Sequence, residues 1–208
     1  MIPEELTQRT EAWWNVRAGK VTASRIGDLM ATTRNGWGAA RKRYFDEILS
    51  ERLTGKSIIK RVASLDWRAE LEPEARIAYE FYTDNSVREV GFIPHPEIEN
   101  AGASPDGYVN DDGILEIKAL DAINHVALLN GGPIDNAYLA QMQFGLTCSR
   151  RAWADFLAYN PQMPEELKVI IKRIERDDHA ISKIESAVRE FLAEINSQLA
   201  KILKASSA

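Results

Sequence analysis

Cysteine is nearly absent from this chain. Cys148 is the single one among 208 residues, which excludes an internal disulfide and any cysteine-rich zinc site. Histidine is almost as scarce: His95, His125 and His179 are scattered without metal-ligand spacing. No run approaches the roughly 20 apolar residues that a membrane span requires. The opening MIPEELTQRTEAWW begins acidic and polar, unlike a secretory signal. Repeats and low-complexity segments are also lacking. These absences point to an intracellular, cytoplasmic protein with no membrane partner. The remaining composition, 45% hydrophobic and 27% charged, is that of one soluble globular domain spanning residues 1–208.

Positive charge is in deficit overall, with a formal net of −5, but it is unevenly placed. Residues 1–63 carry 12 Lys/Arg against 7 Asp/Glu, whereas residues 64–208 carry 14 against 24. The excess is densest at Arg41, Lys42 and Arg43. A polyanion needs basic side chains to converge only locally, so this asymmetry permits a nucleic-acid partner that the total argues against. A solvated surface of mixed charge accounts for the same numbers.

Periodicity and turn chemistry divide the chain into elements. Thr10–Ala18 reads as a short helix with a threonine N-cap, and Lys20–Met30 places a Thr/Ser pair before a second apolar-periodic run. RNGWG at 34–38 reads as a loop. Arg41–Leu53 is a helix closed by Gly55. Glu72-Pro73 opens another, with Ala75, Ala78, Tyr79 and Tyr82 on one face. Strands are expected at Val87–Ile93, Tyr108–Val109, Ile114–Leu120 and Ala152–Tyr159, with a helix over Asn136–Thr147 between the last two. Interleaved strands and helices predict an α/β or α+β fold, with a mixed central sheet flanked by helices. A C-terminal helix over about residues 178–204 carries Ile181, Ile184, Val188, Leu192, Ile195, Leu199 and Ile202 at steps of three and four. That seam fits packing on the domain's own core or a subunit contact.

The candidate chemistry lies in SPDGYVNDDGILEIK, residues 104–118. SPDG and NDDG are turn-forming tetrapeptides and ILEIK is a short strand. Alternation puts Glu116 and Lys118 on one face with Ile114, and Leu115 and Ile117 on the other. If 108–109 pairs with 114–115, Asp106 falls near the same edge as Glu116. Two carboxylates and an ammonium then converge, a trio suited to metal-assisted phosphodiester hydrolysis. Mg²⁺ prefers hard oxygen ligands, and a lysine beside a cation is pushed toward its neutral form, able to deprotonate or orient water. The spacing alone is weak, because Glu-x-Lys on an exposed strand face is common.

Further residues carry a resemblance. SPDG followed by LEIK matches the PD-(D/E)xK nuclease signature. Trp13, Arg17, Thr22, Ala23 and Ser24 form W-x3-R-x4-TAS, with Arg34 in the following loop. Trp67, Glu72, Ala75 and Arg76 form W-x4-E-x2-AR. After the hairpin come Ala137, Tyr138, Ala140, Gln141 and Gln143. Ala152, Trp153, Ala158, Tyr159, Pro161 and Met163 follow, with IERD at 174–177. In this order, over about residues 10–180, the chain resembles the phage lambda exonuclease (YqaJ-type viral recombinase) family. Arg68 departs from it, where glycine is frequent.

The resemblance implies a restriction-endonuclease-like core and a Mg²⁺-dependent 5′→3′ exonuclease, with Mn²⁺ able to substitute. Such an enzyme degrades the 5′-phosphorylated strand of double-stranded DNA ends to mononucleotides and leaves a 3′ overhang. Asp106, Glu116 and Glu72 would be metal ligands, Lys118 would activate or position water, and Gln141 would orient the nucleophile or a phosphate. Arg17, Ser24 and Ser104 would hold the 5′-terminal phosphate. Arg34 would track the DNA, Leu65 would prise apart the terminal bases, and Trp13 or its neighbour Trp14 would support the DNA path. A ring-shaped homotrimer, a single-strand annealing protein as partner, and a bacterial cell with a phage or prophage origin complete the expectation. Without the resemblance, Glu72 is a carboxylate favoured at a helix N-terminus, Gln141 a half-buried amide and Leu65 a core residue. An endonuclease of the same superfamily and a non-catalytic DNA-end-binding scaffold are the alternative functions.

Overall fold

The computed structural model describes residues 3–34, 36–58 and 70–205; Leu65, Trp67 and Arg68 lie outside them. Thr10 caps α1 (Glu11–Arg17) as expected, its hydroxyl accepting from the Trp13 amide at 3.3 Å. Lys20–Met30 departs from a plain helix. Val21 and Thr22 form β1, a 3-10 turn follows at Ala23–Arg25, and only Ile26–Leu29 is α-helical, as α2. The strand wins because Val21 and Thr22 pair with a partner far along the chain. Within the loop expected at 34–38, β3 (Gly36–Trp37) pairs with β2 (Thr32–Thr33) in a small hairpin. The helix α3 (Ala39–Thr54) ends on Gly55, whose φ of 66° suits a residue without Cβ.

The helix α4 (Glu72–Thr83) carries its proline in the first turn, where the missing N–H costs nothing. Ala75 and Tyr79 are buried, but Tyr82, expected on the same face, is half exposed. Val87–Ile93 is not one strand. Its ends, β4 (Val87–Arg88) and β5 (Ile93–Pro94), belong to different sheets, and the crossing residues Gly91 and Phe92 donate to the Glu4 and Pro3 carbonyls. Then follow β6 (Ala101–Ala103), β7 (Gly107–Val109), β8 (Gly113–Ala119), α5 (Ala122–Leu129), α6 (Asn136–Ser149), β9 (Trp153–Tyr159), β10 (Val169–Glu175) and α7 (Asp178–Ala205).

The larger sheet runs β10-β9-β8-β7-β4, parallel between β8 and β9 and antiparallel elsewhere. The smaller runs β1-β6-β5, with β1 and β6 parallel. This mixed α+β architecture agrees with the expected fold class. β8 divides two cores. Ile114 packs with Met142, Phe144 and Leu146 of α6, while Leu115 and Ile117 pack with Ala75 and Tyr79 of α4. Along α7, Ile184, Val188, Leu192 and Ile195 are buried in the first of these cores, and Ile181 is buried as well. The apolar seam is therefore consumed by the domain itself up to Ile195, which removes most of it as a subunit contact. No helix among the described residues is long and apolar enough to cross a membrane.

Candidate active site

SPDG does not close a hydrogen-bonded turn. It is a bend that carries the chain from β6 of the small sheet to β7 of the large one. The Asp106 amide donates to the Leu115 carbonyl at 3.0 Å, outside the register of the β7–β8 ladder. Gly107 stands opposite Leu115, and this bond together with the one from the Ile117 amide to the Asp106 carboxylate holds Asp106 beside Glu116. A Cβ at Gly107 would lie 2.3 Å from Val87 Cγ1, so glycine is required for β4 to approach.

Glu116, Lys118 and Gln141 meet, with Asp106 beside them. Lys118 Nζ donates to Glu116 Oε1 at 2.7 Å and to Gln141 Oε1 at 3.2 Å, and Gln141 Nε2 donates to the same Glu116 oxygen at 2.5 Å. Asp106 Oδ2 accepts from the Ile117 amide at 2.6 Å. The Tyr138 ring lies 4.9 Å from Lys118 Nζ. Glu72, at the start of α4, shares a cleft with Asp106 and pairs with Arg9. Two hydrogen bonds hold α4 in place: Tyr79 donates to Asp155 at 2.6 Å and Tyr159 to Glu74 at 2.5 Å.

Burial raises the Glu116 pKa to about 7, with Asp106 and Glu72 adding to it against the Lys118 charge. Burial and then Asp106 raise Glu72 likewise to about 7, against Arg9. Asp106 is pushed up by burial despite Lys118 and the Ile117 amide. Burial works against the Lys118 ammonium, but Glu116 and Asp106 outweigh it, so its pKa is raised and the charge is held. The site has three hard oxygen groups and too little positive charge between them, a condition that a divalent cation relieves. Among the described residues no group of three or more His, Cys, Asp or Glu side chains is placed to hold a metal ion. Mg²⁺ needs none, since one or two carboxylates with water and phosphate suffice.

Beside this cluster, Ser104 Oγ accepts from Arg17 Nη1 at 2.8 Å and from Trp13 Nε1 at 3.2 Å. Burial pulls the Arg17 pKa down to about 10, still far above neutrality. Trp13 is 6% exposed, with the Arg17 guanidinium 4.1 Å from its ring centroid. It presents no free face for stacking on a base; its role in the structure is to hold Arg17 and Ser104. Ser24 is exposed and its hydroxyl meets Thr22 at 3.5 Å. Parallel pairing of Thr22 with Gly102 brings Ser24 and Ser104 to the same end of the small sheet.

Residues 12–152 match the YqaJ-like viral recombinase domain. An alkaline exonuclease (LHK-Exo) from Laribacter hongkongensis is 38% identical, with a TM-score of 0.87 over 95% of this chain and 98% of that one. LHK-Exo in complex with dAMP gives 40% identity and 0.88 over the same shares. The chain belongs to the YqaJ-like viral recombinase family. A phage-related exonuclease from Haemophilus somnus 129PT, 16% identical with a TM-score of 0.66 over 90% of this chain and 98% of that one, shares the fold. Curated proteins give no match.

Within this YqaJ-like domain the structure brings together Asp106, Glu116, Lys118 and Gln141, with Glu72 on the rim, and Arg17 with Ser104 and Trp13 beside them. Arg34 stands apart, exposed at the turn of the β2–β3 hairpin. Leu65 lies outside the described residues. Sequence reasoning missed Gln8 and Arg9, which reach the site from the N-terminal segment, and gave Arg76 no role. Arg76 was legible only as a motif position. Nothing local marks Gln8 or Arg9, since their partners lie more than 60 positions away.

Proposed function

We propose that this protein is a recombination-associated exonuclease that degrades the 5′-phosphorylated strand of duplex DNA ends, 5′ to 3′, leaving 3′ overhangs. The observation that carries the reading is the contact of Arg17 with Ser104, two residues before Asp106. A cationic fork and a hydroxyl suited to a terminal phosphate thus stand beside carboxylates suited to phosphodiester hydrolysis. LHK-Exo has been crystallised in complex with dAMP, which supports a mononucleotide product.

Asp106 and Glu116, with Glu72, are the groups that would hold Mg²⁺ or Mn²⁺. When bound, such an ion supplies Lewis-acid polarisation of the phosphoryl oxygens and a lower pKa for water. Lys118 orients the attacking water and offsets charge that builds on the phosphate. Gln141 fixes Lys118 by spanning it and Glu116, so the ammonium loses little freedom on meeting substrate. Arg17, Ser24 and Ser104 hold the terminal phosphate and set which bond reaches Lys118. Arg34 contacts the DNA backbone ahead of the end, and Leu65 separates the terminal bases. The assembly is a ring-shaped homotrimer around DNA, partnered by a single-strand annealing protein in a bacterial cytoplasm. A monomeric mass in solution overturns the ring.

The deciding experiment is digestion of linear duplex with Mg²⁺, comparing 5′-phosphate with 5′-hydroxyl ends. Faster release of mononucleotides from the phosphorylated end, lost in Lys118→Ala, is expected. Equal rates at the two ends, or cutting of closed circles, would replace the exonuclease by an endonuclease.

A further inference from the structure

Arg9 belongs to none of the motifs, yet it reaches the carboxylates. It sits third in the turn Thr7–Thr10, where Thr10 donates to the Thr7 carbonyl from its hydroxyl at 2.7 Å and its amide at 3.4 Å. The Arg9 φ of 65° lies in the left-handed region that residues with a Cβ enter uncommonly. Gln8 ties this turn to the catalytic bend: its Nε2 donates to the Val90 and Pro105 carbonyls, each at 2.8 Å. Pro105 immediately precedes Asp106. From the turn thus fixed, the Arg9 guanidinium pairs with Glu72 Oε1. Both line a cleft of about 110 Å³ with Gln8, Arg76, Glu89 and Asp106.

The cleft holds two guanidinium groups with different engagements. Arg76 pairs with Glu89 outside the catalytic set and is 16% exposed. Arg9 pairs with a carboxylate of the site and is 39% exposed, against 22% for Glu72. An exposed guanidinium can leave its partner for water or for another anion at small cost. A divalent cation and a guanidinium at the same carboxylate repel each other, so the two compete there.

We propose that Arg9 is a resident counter-ion for Glu72, displaced when a divalent cation binds there and then turned toward a phosphate of the DNA strand in the same cleft. The inference rests on the nuclease reading. It makes a left-handed turn in the N-terminal segment part of substrate binding, with Gln8 as the positioning residue.

Calorimetric titration of Mn²⁺ into metal-free protein, without DNA, tests the displacement. Arg9→Gln is expected to bind Mn²⁺ about two- to fivefold more tightly than wild type, the scale of one exposed ion pair. Glu72→Gln is expected to bind more weakly, and adding Arg9→Gln to it should give no gain. Unchanged or weaker binding by Arg9→Gln, while wild type binds Mn²⁺, overturns the counter-ion and leaves the nuclease reading standing. Wild type that binds no Mn²⁺ overturns both. The hand-over is read from 5′-phosphorylated duplex binding to Lys118→Ala protein in Ca²⁺ across a salt series. Arg9→Gln should lower the slope of log K against log salt by about 0.9, one phosphate contact. An unchanged slope overturns the hand-over. Arg9→Lys, which keeps the charge, should stay close to wild type in both measurements; behaviour like Arg9→Gln would show a role in the turn rather than in charge.

Discussion

Glu116 and Asp155 lie on adjacent strands, both almost fully buried, on opposite faces of one sheet. Both oxygens of Asp155 are engaged. Arg173 engages Oδ1 and Oδ2, each at 2.9 Å, Tyr79 donates to Oδ2, and Trp153 covers the guanidinium at 3.5 Å. Glu116 takes both of its hydrogen bonds on Oε1, and among the described residues no donor engages Oε2. Its further neighbours are the like-charged Asp106 and Glu72. A buried carboxylate with both oxygens engaged fixes a helix; one with an oxygen left open among its own kind can receive a further ligand.

The largest effect expected from that contrast is on rate. Lys118→Ala or Glu116→Gln should lower nuclease turnover by about 10²–10⁴-fold while circular dichroism and cooperative melting persist. Loss of folding together with activity would make Glu116 a second Asp155. Arg17→Ala comes next. Removing a charge-assisted contact worth about 1.5–3 kcal/mol should lower the preference for a 5′-phosphate over a 5′-hydroxyl end by about 10- to 100-fold, with 5′-hydroxyl ends little changed.

Asp155→Ala should show the converse behaviour, losing about 1.5–3 kcal/mol in urea denaturation while folded protein still digests DNA below its melting point. Arg173 is 46% exposed and can turn to water, which keeps the loss in that range. The smallest effect concerns pH. Glu116 and Glu72 are raised in the folded state to about 7 from an ordinary 4.5. Between those values the folded chain keeps protons that the unfolded chain releases, so their contribution to stability falls as pH rises and levels off above about 7. Thermal melts of metal-free protein at pH 5 to 8 should show less decline in Glu116→Gln than in wild type. Equal profiles would remove the raised Glu116 pKa that burial, with Asp106 and Glu72, is held to cause.

Much of the catalytic cluster was legible because β8 is short, regular and alternating. Once ILEIK is a strand, Glu116 and Lys118 must share a face. Asp106 was legible as a neighbour only through an assumed pairing, and the structure supplies Gly107 opposite Leu115. The small sheet was not legible. Ala101–Ala103 has no strand-forming side chains; it is a strand because β1 and β5 pair with it, and because Gly102 leaves room for the Phe92 ring. β10 escaped notice since its residues are mostly half-buried along a sheet edge, where alternation is blurred.

The sequence by itself determined the local matters: the Thr10 cap, the glycine that ends α3, the face shared by Glu116 and Lys118, and the family. Those follow from backbone conformation and side-chain period within a few residues. Tertiary structure alone decided that Gln141 bridges Glu116 and Lys118, that Trp13 is sealed under Arg17, that the C-terminal seam belongs to the core, and that Arg9 reaches Glu72. Each of these depends on which distant elements pack together, and on which charges are left in a shared low-dielectric space, neither of which a local pattern can express.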